Sequence, residues 1–99
     1  MVRKKEKFSR YDVADYLGSD EDVAAYLEAC MEEAGDDAAY IAAALGDIAR
    51  ARGMAQLAKD TGISREGLYK ALSPDGNPSL ATILKVVKAL GLKLTAKVA

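Results

Sequence analysis

Between Met54 and Ser73 the chain reads MAQLAKDTGISREGLYKALS. Within it a hydroxyl, a guanidinium, a carboxylate, a phenol and an ammonium group fall at Ser64, Arg65, Glu66, Tyr69 and Lys70. Positions 65, 66, 69 and 70 share one face of a helix, because residues three and four apart lie on neighbouring turns. Groups of this kind bind rather than react. Arg65 can offer two donors to a guanine edge, Glu66 can accept from a cytosine amine, and Tyr69 and Lys70 can reach phosphates or a thymine methyl. Ser64 can cap the helix and still approach a phosphate through its N–H, since a helix N-terminus favours anions. Lys59, on the preceding segment, supplies a further cation for a nucleic-acid backbone. The groups that break bonds are missing: there is no histidine, and the acids are dispersed rather than set at metal-ligand spacing. The single Cys30 falls on an apolar helical face, where it reads as a buried reduced thiol. We therefore expect a binding protein rather than an enzyme, with no metal and no cofactor.

Positioning these groups requires two short helices hinged on one glycine, a helix-turn-helix. The first carries Leu57 and Ala58 inward, Gly62 takes the turn that needs positive φ, and Ile63 follows as a buried turn residue. Ser64 then caps the second helix, which returns Leu68, Ala71 and Leu72 to the same core. Ala58 must be small where two helices cross steeply. The plain alternative is an αα-corner used as scaffold.

A chain of 99 residues with 51% hydrophobic content fits one domain with a single core. No apolar run is long enough to span a membrane, and Met1 to Lys7 has charges without the apolar stretch of a signal peptide, so the expected location is cytoplasmic. The net charge of −1 hides a division: about +3 over residues 1–7, −8 over 8–53 and +4 over 54–99. The basic half suits a polyanion, whereas the acidic half suits a basic protein.

Read in order, Tyr11 to Leu17 can form a short helix capped by Asp12, with Tyr16 and Leu17 on its apolar side and Gly18 at its end. Ser19 opens a stronger helix with acids in its first turn, and Val23, Tyr26, Leu27, Cys30, Met31 and Ala34 form its inner face before Gly35. Asp36 or Asp37 caps the next helix, which runs to about Arg52 and buries Ile41, Ala44, Leu45 and Ile48. Gly46 inside it marks a close helix approach. After the turn formers Pro74 to Pro78, Ser79 caps a last helix with Leu80, Ile83, Leu84, Val87 and Leu90 on one face. Beyond Gly91 the sequence alternates, so Leu92, Leu94, Ala96 and Val98 would line one side of a strand. Nothing else reads as β, so that strand would pair with its copy in a second subunit or join a partner's sheet. The expected architecture is all-α: an N-terminal helical extension over 8–36, a five-helix bundle with its core over 37–91, and a strand or tail over 92–99.

On the motifs ALGDIARARGM (44–54), GISREGLYKALS (62–73) and GNPSLATILKVVKALGL (76–92), the chain resembles short helix-turn-helix antitoxins, the probable addiction module antidote proteins related to the HigA group. The likeness spans roughly Tyr11 to Leu94. It implies a Cro/repressor-like DNA-binding domain that represses its own operon as a dimer, and a basic RelE/ParE-like toxin as partner. Met54 stands where repressor-type units often carry glutamine, which removes a phosphate contact, and Gly67 replaces a usual serine, which loosens the second helix.

A recognition helix from Arg65 to Leu72 is about 12 Å long, enough to touch three or four base pairs. Specificity then calls for two copies reading an inverted repeat with centres about 34 Å apart. The aromatic and apolar residues of the acidic half, Tyr11, Tyr16, Leu17, Tyr26 and Leu27, are the candidates for the toxin contact. Three alternatives compete: a transcriptional regulator without a toxin partner, an interaction module with a vestigial helix-turn-helix, and a ligand-sensing repressor.

Overall fold

The computed structural model describes residues 17–98. Five helices occur among them: α1 (Asp20–Ala34), α2 (Ala38–Arg52), α3 (Met54–Thr61), α4 (Arg65–Ala71) and α5 (Leu80–Ala89). None is long and apolar enough to cross a membrane. The helix expected over Tyr11–Leu17, with its cap Asp12, lies outside the described residues except for Leu17. That residue carries no regular structure and is buried.

Side-chain caps set most of the helix starts. Ser19 accepts from the Asp22 N–H at 3.1 Å, Asp37 rather than Asp36 accepts from Tyr40 at 3.2 Å, and Ser79 accepts from Thr82 at 3.1 Å. Three carboxylates in the first turn of α1 and two arginines in the last turn of α2 complement the helix dipoles. Gly53 is the single residue between α2 and α3.

α1 packs along α2, α4 against α2 and α3, and α5 against α3, around one apolar core. Leu45, Ile48, Leu68, Leu72, Val23 and Val86 are its largest fully buried side chains. At the centre α2 and α4 meet without a side chain between them. A Cβ on Gly46 would collide with the backbone carbonyl oxygen of Leu72, which is the close approach expected of a glycine inside a helix.

Three expectations about faces change. Met31 is exposed rather than inward. In α5 the buried residues are Val86, Val87 and Leu90, with Ile83 partly buried, while Leu80 and Leu84 stand in solvent. The core meets α5 on a stripe turned away from the leucines nearest its cap, and a window of repeated apolar residues does not reveal that rotation. The third concerns residues 92–98, which form no strand. Leu92 is partly buried against the core and its N–H donates to the Val87 carbonyl at 3.0 Å, but Leu94, Ala96 and Val98 are exposed. A strand needs a second strand for its ladder, and no strand occurs among the described residues.

Candidate nucleic-acid interface

The turn between α3 and α4 is built from Gly62, Ile63 and Ser64. Gly62 has φ 76°, ψ 11°, left-handed backbone that a side chain would strain, and its N–H closes α3 on the Ala58 carbonyl. Ile63 and Ala58 are both partly buried against the core. One device escaped the sequence reading. Thr61 Oγ1 donates to the Leu57 carbonyl at 2.8 Å and accepts from the Ile63 N–H at 3.2 Å, so a single hydroxyl ties the end of α3 to the turn. A threonine preceding the glycine is the signal that could have pointed to it.

Ser64 is extended, and its hydroxyl accepts from the Gly67 N–H at 3.0 Å. α4 therefore starts on a made cap with Gly67 in its first turn. Leu68 and Leu72 are fully buried and clamp the helix to the body of the protein. That leaves its opposite side free. Ser64, Arg65, Glu66, Tyr69 and Lys70 are all exposed, Tyr69 by 41%, and Lys59 is exposed on α3. All six sequence-predicted residues are therefore solvent-accessible, five of them at the start of or along α4 and Lys59 on α3.

The end of α2 and the length of α3 add polar groups that the sequence pattern did not single out. Arg52, Gln56 and Asp60 line an open groove of about 150 Å³ floored by Leu57 and Leu90. Gln56 donates to Asp60 at 2.9 Å, and Arg52 donates to Asp20 at 2.8 Å, tying the end of α2 to the beginning of α1.

The acidic half is arranged differently from its expectation. Leu17, Tyr26 and Leu27 are core residues, 3%, 8% and 8% exposed, rather than an exposed apolar surface. Tyr11 and Tyr16 lie outside the described residues. Tyr26 Oη donates to Asp47 at 3.3 Å across the α1–α2 contact, beside the buried Cys30 thiol. Burial, then the neighbouring Cys30 and Asp47, push the Tyr26 phenol well above its ordinary range. Burial and then Cys30 push Tyr40 up to about 12, and burial raises Cys30 itself. Tyr26 and Cys30 are core residues, and Tyr40 packs partly buried against them. Tyr26, a candidate for the toxin contact, completes the interior instead.

With this geometry in place, the comparison with known proteins is decisive at one level. The sequence pattern of a family described as "Probable addiction module antidote protein" matches residues 7–98. The chain belongs to that family. It is also similar to an uncharacterized protein of Haemophilus influenzae (strain ATCC 51907 / DSM 11121 / KW20 / Rd), 54% identical over 88 residues, which covers 89% of each chain. No solved structure matches it. Membership in an antidote family implies a toxin as partner in general terms, and the exposed α4 must then be explained beside that role.

Proposed function

We propose that this antidote-family protein is the antitoxin of a type II module, which neutralises a basic RelE/ParE-like toxin and represses its own operon by binding DNA as a homodimer. The observation that carries the DNA-binding part is the exposure of Arg65, Glu66, Tyr69 and Lys70 on a helix whose other side is locked by Leu68 and Leu72. In this reading α3 and α4 are a Cro/repressor-like helix-turn-helix, and α4 enters the major groove. Arg65 takes a guanine edge, Glu66 a cytosine amine, and Lys59, Lys70 and the capped start of α4 hold phosphates. One α4 of seven residues reaches too few base pairs for useful selectivity, so two copies read two half-sites about one helical turn apart.

The test is retardation of a duplex carrying the protein's own promoter at low salt, set against a random duplex of equal length. About six phosphate contacts per dimer imply a loss of affinity on the order of a thousandfold between 50 and 200 mM salt. Equal binding to both duplexes, or a flat salt profile, would leave an interaction module with a vestigial helix-turn-helix.

A further inference from the structure

The outer side of α1 is a helix face left exposed by the packing of α1 on α2. Ala24, Glu28, Met31 and Glu32 are exposed along it, Met31 by 44%. Between residues 20 and 37 there are eight carboxylates and no lysine or arginine. That field repels nucleic acid and attracts a cationic protein surface. Met31 adds what charge alone lacks, an adaptable apolar side chain of the kind that anchors protein contacts.

One basic side chain from the C-terminal segment already reaches this face. Lys97 Nζ is 3.9 Å from a Glu28 carboxylate oxygen, with the two side chains 83% and 63% exposed. Residues 93–98, KLTAKV, alternate basic or polar with apolar positions and carry no regular structure. Leu94 and Val98 remain 45% and 98% exposed, so Lys97 reaches α1 while the apolar groups of the segment stay unburied. A long, solvent-screened ion pair holds such a segment weakly.

We propose that this face of α1 docks a lysine- or arginine-bearing segment of the toxin, and that residues 93–98 occupy the place until the toxin displaces them. The identity of the partner rests on the antitoxin reading above. A segment that sets several cations against Glu21, Glu28 and Glu32 and one apolar side chain on Met31 makes more of the face than Lys97 does. The contact thereby moves from the buried Tyr26 and Leu27 of α1, and from Leu17 before it, to the exposed side of that helix.

The probe is a fluorescein-labelled peptide LKLTAKVA, the sequence of residues 92–99, added at low salt to the full-length chain and read by anisotropy. A full-length Lys93→Glu/Lys97→Glu variant, whose own segment no longer competes, should bind it at least fivefold more tightly than the unaltered chain. Adding Glu28→Lys/Glu32→Lys to that variant should weaken binding at least tenfold, and the neutral Glu28→Gln/Glu32→Gln pair should weaken it in the same direction. Amide shifts in α1 should centre on Ala24, Glu28 and Met31. Failure of the freed variant to bind, or binding indifferent to both glutamate pairs, overturns the proposal. In cells expressing the adjacent toxin frame, the unaltered chain should rescue growth and Glu28→Lys/Glu32→Lys should not. Equal rescue by both removes the docking face and keeps the antitoxin, whereas failure of the unaltered chain to rescue removes the antitoxin reading itself.

Discussion

Replacing Gly46 by alanine separates two effects of opposite sign. In an unobstructed helix interior the change would stabilise by up to about 1 kcal/mol, because alanine loses less backbone entropy on folding. Here the new Cβ meets the carbonyl oxygen of Leu72, backbone at the end of α4 that cannot rotate aside. To regain ordinary separation the two helices must part by roughly 1 Å, and overpacking of this kind costs about 1–3 kcal/mol. Leu72 is fully buried, so the shift also loosens the residue that clamps α4. We expect a net loss of about 1–2 kcal/mol, which lowers the melting temperature of a domain this size by roughly 5–15 °C. Thermal unfolding followed by circular dichroism measures it. Promoter affinity should fall as well, although Gly46 is itself buried and reaches α4 only through the Leu72 backbone. A melting temperature equal to or above that of the unaltered protein would refute the close-approach argument.

Three further outcomes follow from the same structure. Ser64→Ala removes the cap on α4 and should cost about 1 kcal/mol, seen as a lower urea midpoint with an unchanged slope. Arg65→Ala should cost about 1–3 kcal/mol on the promoter duplex and much less on random DNA, and an equal loss on both would reassign Arg65 to a phosphate. Alkali should destabilise the fold: the Tyr40 phenol is pushed up to about 12 from its ordinary 10.0, and Tyr26 rises further. Because the unfolded chain releases these protons first, their contribution is whole below pH 10 and is lost as the pH climbs through 12. Urea midpoints at pH 8, 10 and 11 should fall only above 10, and less steeply in Tyr26→Phe.

Local chemistry was enough to read much of this protein from its residues. Ser19, Ser64 and Ser79 begin helices because a hydroxyl one turn before an N–H caps it whatever surrounds it, and Gly62 turns the chain because only its backbone tolerates positive φ. The outward set from Ser64 to Lys70 follows from the same short-range logic. The aromatic residues resisted that reading. A tyrosine or leucine beside acids has the same spacing whether it meets a partner or fills the core, and the packing of α1 on α2 sent Tyr26 and Leu27 inward while leaving Met31 outside. The rotation of α5 about its axis is likewise invisible to periodicity, since Leu80 and Leu84 repeat as regularly as Val87 and Leu90. Alternation in residues 92–98 has the pattern of a strand, but a ladder is made by two segments. The tertiary structure decided which of these side chains are buried because burial depends on what faces a residue across space, whereas capping and turn chemistry are settled within a few residues along the chain.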